Sequence, residues 1–461
     1  MPNETNNIII QGVTESTLTL NVNGTVQEIH NQLADLKALL QNLKAPTVQY
    51  ADKIYNIEHI NEANFGVMTS NRVFNGVLTK ELIHFLGDRT NARQFLNGIP
   101  AEDKQNWECV RLHLKEAQGL LGDSYVWVIG WELRRLFSIG NDRQKSMEIK
   151  VDEYINHCFS TYRLSLQLVN YLFLSKLWDA KKTQKKNIDA NKKPLTDFFH
   201  TKRLLKLTEL RTLFHTLLEI FRDNDLAFPL EEMEAANIHP YLQPDSAFNK
   251  ACASMEALEA LGEQGEKYGL GHCHSAEISL ATILQAFPFF TTHQLVTMKK
   301  VEYEETRNTT PRYIKDFSIL EKKEAQNLQR ILNYDNKPSL TYALFFRNGR
   351  NAINLFPFLL DFNALTNEQD FQIYFYESRN GNSGLRYFSI KNEKEDSIHY
   401  RAAATDAREI LSEEQKNAEQ KIIRLDLVIR QFEDALNTVL DADVRFEAID
   451  STPKVDNTFN F

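Results

Sequence analysis

Ile8-Ile9-Ile10, a turn at Gly12, and then Ser16-Thr17-Leu18-Thr19-Leu20-Asn21-Val22 alternating up to Asn23-Gly24 open the chain as an antiparallel strand pair. Directly after it, Val26, Ile29, Leu33, Leu36, Leu40 and Leu43 recur at steps of three and four. That spacing sets them in a narrow seam on one helix face, of the width that meets another helix. Pro46 ends the run, and Lys53-Ile54-Tyr55-Asn56-Ile57 alternates as a third strand. A ββαβ module over residues 1–60 has few residues for a core of its own, so a second copy or the following domain is expected to complete it.

From about residue 75 to 335 the periodicity reads as helical. Leu78, Leu82, Phe85 and Leu86 form one stripe, and Trp107, Val110, Leu112, Leu114, Leu120 and Leu121 form another. Between Tyr154 and Trp178 apolar residues cover nearly the whole circumference, the pattern of a helix buried on most sides. Lys181, Lys182, Lys185, Lys186, Lys192 and Lys193, followed by Pro194, break that pattern and read as an exposed basic loop over 181–194. No fixed repeat length emerges, so the body is expected to be an irregular helical array.

Residues 338–402 change character. Leu340–Phe346, Leu355–Leu360, Phe371–Tyr376 and Leu385–Ile390 read as successive strands, the last two joined by the hairpin signal Arg379-Asn380-Gly381-Asn382-Ser383-Gly384. A small β-rich domain is therefore expected, then a helix over 405–440 with a second heptad seam. In that seam Ile422, Leu425, Ile429, Phe432 and Leu436 alternate at three and four. Residues 443–461 are rich in Asn, Asp and Thr and read as a disordered tail. The fold class expected is α+β and mostly helical.

Composition narrows the function more than the fold. A net charge of −9 argues against a dedicated nucleic-acid binder. Cys109, Cys158, Cys252 and Cys273 have neither disulfide nor zinc spacing, which fits a reducing cytoplasm. The N-terminus carries no basic, apolar leader, and the stretch 278–298 is interrupted by Gln285, Pro288, His293 and Gln294, so no membrane span is expected.

Candidate chemistry is sparse. Gly271-His272-Cys273-His274 lacks a second ligand pair nearby, and a structural loop is the simpler account. Cys109 with His113 is better read as a packed cysteine beside a surface histidine, and His157 directly before Cys158 on a helix points the two side chains apart, so neither is taken as a nucleophile–base pair. No phosphate loop and no Gly-x-Ser-x-Gly elbow is present, so no cofactor, metal or catalytic residue is assigned. Asp361 and Glu377 on neighbouring strands would suit a metal-dependent nuclease, although Ser378-Arg379 stands where such a site places a lysine. Six lysines between 181 and 193 could clamp phosphates, with no interleaved aromatics to stack bases.

The hairpin Asn7–Gly24, the leucine-rich helix and Lys53–Ile57 resemble the N-terminal effector-associated or TRADD-N-like adaptor modules of bacterial conflict systems. The segment Asn354–Thr366 with Ile373–Tyr376 resembles a C-terminal segment of such proteins. The resemblance implies a non-enzymatic adaptor in antiviral immunity, with homotypic assembly through the N-terminal module and an effector or sensor partner encoded nearby. The chain lacks the ATPase core of the large sensors in those systems. The expectation is therefore a cytoplasmic, oligomeric adaptor using both heptad seams, against the alternatives of a nuclease-like sheet domain or a nucleic-acid binder.

Overall fold

The computed structural model describes residues 7–13, 16–21, 74–139, 145–184, 188–190, 192–234, 238–305, 307, 310–320, 330–335, 344–348, 351–361, 372–380, 384–391, 405–406 and 418–445. The chain is α+β and mostly helical, with antiparallel sheets, and divides into two units, Met1–Met68 and Thr69–Phe461.

In the first unit, β1 (Asn7–Val13) and β2 (Ser16–Asn21) form a hairpin as expected, with Ile8 opposite Leu20 and Ile10 opposite Leu18; the turn expected at Gly12 is corrected, since Gly12 lies inside β1 and Val13 pairs with Ser16. The ladder shifts register between Ile10 and Val13, where Gly12 lies. The seam helix over Val26–Leu43, the strand at 53–57 and most of the tail at 443–461 lie outside the described residues.

The larger unit is built around one long helix. α1 (Gly76–Phe85), α2 (Thr90–Gly98), α3 (Arg111–Ser124) and α4 (Trp127–Ile139) lead into α5 (Met147–Gln184), which spans about 57 Å at the helical rise. Its residues from Leu164 to Leu177 are largely buried, because α4, α7 (Leu207–Asp223), α10 (Leu270–Ala286) and α11 (Ala418–Leu440) pack along it. α6 (Lys193–His200), α8 (His239–Leu242) and α9 (Ala247–Glu263) complete the helices, Ser246 capping α9 through Asn249 N at 3.1 Å.

The helical reading of 294–335 is corrected. Those residues hold β3 (Gln294–Glu304), β4 (Arg312–Ile319) and β5 (Arg330–Asp335), which join β6 (Leu344–Asn348) and β7 (Asn351–Asn354) in a sheet ordered β5-β4-β3-β6-β7. Leu295, Val296, Thr297 and Met298 are all buried, so the start of β3 is covered on both faces. A strand covered in that way gives an unbroken apolar run that periodicity cannot tell from a helix.

The β-rich region expected as one domain is split between two sheets. β8 (Leu359–Asp361), β9 (Gln372–Asn380), β10 (Gly384–Lys391) and β11 (Thr405–Asp406) form the second, ordered β11-β10-β9-β8, with the predicted hairpin between β9 and β10. Neither sheet stands apart. Tyr171 of α5 stacks on Phe358 at 5.7 Å and donates to Tyr376 O at 2.5 Å, joining the sheet to the central helix.

Candidate functional site

The six N-terminal seam residues, Val26, Ile29, Leu33, Leu36, Leu40 and Leu43, lie outside the described residues. Ile422 and Leu425 fall within α11, and their side chains are likewise outside the description. Ile429, Phe432 and Leu436 are buried in the chain's own core. Phe432 lies 4.5 Å from the Tyr376 ring and 5.6 Å from Phe199. The C-terminal interface expected of these three is corrected accordingly: their heptad spacing docks α11 on α5 and α6 of the same body.

The basic loop is also redrawn. Lys181 and Lys182 belong to the last turn of α5, where positive charge suits the helix C-terminus. Lys181 pairs with Asp441 at 2.6 Å and donates to Val439 O at 3.1 Å, and Lys182 pairs with Asp434. Lys192 lies 3.5 Å from Asp189, Lys193 opens α6, and Lys185 and Lys186 lie outside the described residues. Much of this charge is thus already matched by carboxylates.

The nuclease pair is not brought together. Asp361 is fully buried and accepts from Thr297, while Glu377 is half-buried on β9. In the β8–β9 register Asp361 faces Ile373, four residues or roughly 13 Å from Glu377 along the strand. One metal ion cannot reach both carboxylates at that spacing. His113 pairs with Asp103 at 3.1 Å, His157 faces Glu132 at 3.4 Å, and His272 Nδ1 accepts from Gly269 N. Among the described residues no group of three or more His, Cys, Asp and Glu side chains is placed to hold a metal ion.

Two polar features escaped the sequence reading. The first is Glu277, buried in α10. Its carboxylate accepts from Asn75 N at 2.8 Å and Leu78 N at 3.0 Å, capping α1 from another helix. Asn75 takes a left-handed conformation with φ 70°, which an Asn tolerates, and links outward to Leu136 O and Tyr154 Oη. Burial pushes the Glu277 carboxyl up to about 7, against the pull of the two backbone N–H groups. Tyr154, Cys158 and Cys273 surround it, each raised above its ordinary value chiefly by burial.

The second is a cavity of about 440 Å³ bounded by the N-terminus of α2, the α3–α4 corner and the 3-10 turn Pro288–Thr291. The corner is tight because Gly130 lies against Gly122 O: a Cβ at Gly130 would sit 2.3 Å from that oxygen. Arg134 crosses Gly122 and donates to its carbonyl at 2.7 Å and to Asp123 at 2.8 Å. Arg89 holds the turn, donating to Thr291 O and Thr291 Oγ1. Tyr125, 4% exposed, completes the wall. Burial raises its phenol well above the ordinary value while the nearby Arg89 cation acts against the rise, so Tyr125 remains an O–H donor.

Neither feature has a motif. Glu277 was the more legible, being a carboxylate set inside the apolar run Ala276–Leu284. Comparison with family models, with characterised proteins and with solved structures finds no match to this chain.

Proposed function

We propose that this protein is a non-enzymatic adaptor. It assembles through its N-terminal module, and its larger body recruits a protein partner, an effector or sensor of a bacterial antiviral defence system as the sequence resemblance implies. The observation that carries the reading is the division at Met68: a short unit bearing an apolar hairpin, separate from a body with a continuous core. Small modules of that size gain stability from a second copy. With Ile429, Phe432 and Leu436 committed to the body, the N-terminal seam is the assembly surface this reading favours.

Light scattering on the full chain tests this. Wild type should run well above 53.4 kDa, and Leu36→Asp with Leu40→Asp should bring it to monomer mass with unchanged helical circular dichroism. A wild-type monomer, alone and with the product of a neighbouring gene, would sink the proposal. So would a double variant that still assembles.

A further inference from the structure

We propose that the cavity between α2, the α3–α4 corner and the Pro288–Thr291 turn is a binding site for a small phosphorylated molecule, its phosphate held by Arg89, Tyr125 and the N-terminus of α2.

Charge is the first argument. Arg89 is a partly buried cation whose bonds go to a carbonyl and a hydroxyl of Thr291, both neutral. Among the described residues no carboxylate lies within ion-pair distance of it. A guanidinium has five N–H donors, so the Thr291 contacts leave donor capacity for an anion. Arg134 differs: Asp123 already matches its charge.

The second argument is independent and concerns Tyr125. Tyr125 lines the same cavity, and its hydroxyl, shielded from solvent just behind the wall, has no hydrogen-bond acceptor among the described residues. A buried O–H left in that state is a standing cost to the fold. An acceptor entering the cavity would remove that cost.

Helix geometry supplies the remaining donors. α2 begins at Thr90 with no side-chain cap and no acidic residue in its first turn, and Thr90, Asn91 and Ala92 all line the cavity. The first N–H groups of a helix have no partner within it, and they favour negative charge. A guanidinium, a phenol and backbone amides approaching from different walls suit a tetrahedral oxyanion with several acceptor oxygens better than a planar carboxylate. The volume of about 440 Å³ is that of a small-molecule site and exceeds what a bare ion fills. Trp127 and Leu320 give the organic part an apolar wall.

Titration calorimetry on the full chain at constant ionic strength tests the site, with inorganic phosphate, glycerol phosphate and adenosine monophosphate as probes and adenosine as control. At least one phosphate ester should bind while adenosine does not. Arg89→Gln should weaken that binding about tenfold or more, the range lost with a hydrogen bond to a charged group. Tyr125→Phe should weaken it less, and Arg93→Gln, whose exposed side chain points to Asp88, should leave it unchanged. Binding of inorganic phosphate as tight as that of the esters, with the same loss in the variants, would keep the oxyanion site and assign it to the free ion. Absence of phosphate binding at millimolar concentration overturns the proposal, as does equal binding by wild type and both variants. If Arg89→Gln fails to fold, Tyr125→Phe decides the matter alone. Because the readout is binding by one chain, its failure is separable from failure of the assembly reading.

Discussion

The two ends of the larger body bury polar groups in opposite ways. Where the second sheet meets α5, α6 and α11, the buried tyrosines are satisfied by the backbone. Tyr171 Oη donates to Tyr376 O, Tyr376 Oη to Phe198 O at 3.4 Å, and Tyr387 Oη to Pro357 O at 2.9 Å, all within one aromatic cluster. Around α1, α2 and α4 the body instead holds a buried carboxylate, Glu277, and a cavity faced by Arg89 and Tyr125. Closed networks of the first kind hold a fold together. Groups of the second kind hold charge or donor capacity in reserve, and they mark where the fold can respond to protons or ligands.

The largest expected effect lies at the closed end. Phe432 is fully buried and touches Tyr376, Phe199 and Phe358, with ring centroids 4.5, 5.6 and 6.1 Å away. Phe432→Ala should therefore destabilise the body by about 3–5 kcal/mol, read as a lower urea midpoint. If instead the midpoint holds and the oligomer dissociates, the seam is intermolecular and the contrast between the two ends fails.

Phe432 also shows how far the chain is legible before folding. Its heptad spacing correctly announces a helix with one apolar face, and the same spacing serves a partner chain or the helix's own domain equally well. Periodicity fixes the face and not its occupant. The Arg379–Gly384 hairpin was legible because turn chemistry is local. β3 was not, since Leu295–Met298 is covered on both faces and covering is a tertiary fact. The cavity was least legible of all. Arg89, Tyr125 and Thr291 are far apart in sequence, and what distinguishes them is the partner each lacks or finds after folding.

A smaller effect is expected from protons at the open end. Folding raises the Glu277 carboxyl from 4.5 to about 7, so the native state keeps a proton that the unfolded chain releases between those values. The stability this contributes is complete below about 4.5, falls as pH rises through the interval, and levels off above about 7. A shift of that size corresponds to about 3 kcal/mol across the window. Glu277→Gln removes the titration, and urea midpoints between those pH values should lose most of their slope. An unchanged slope would move the proton to another group and leave Glu277 as a permanently charged cap.

The smallest effect gives the sharpest comparison, because it makes the same chemical change at each end. Tyr387 and Tyr125 are both buried, and both lose only an oxygen on substitution by Phe. Tyr387→Phe strands Pro357 O, which then lacks the phenol's hydrogen bond, and should cost about 1 kcal/mol. Tyr125→Phe deletes a hydroxyl that finds no acceptor among the described residues, so the ligand-free protein should lose no stability and can gain some. Thermal unfolding of both variants beside wild type measures the difference directly. A Tyr125→Phe loss as large as that of Tyr387→Phe would mean that its hydroxyl is engaged within the fold. The cavity would then be a closed structural joint like the aromatic end, and its donors would have nothing left for a ligand.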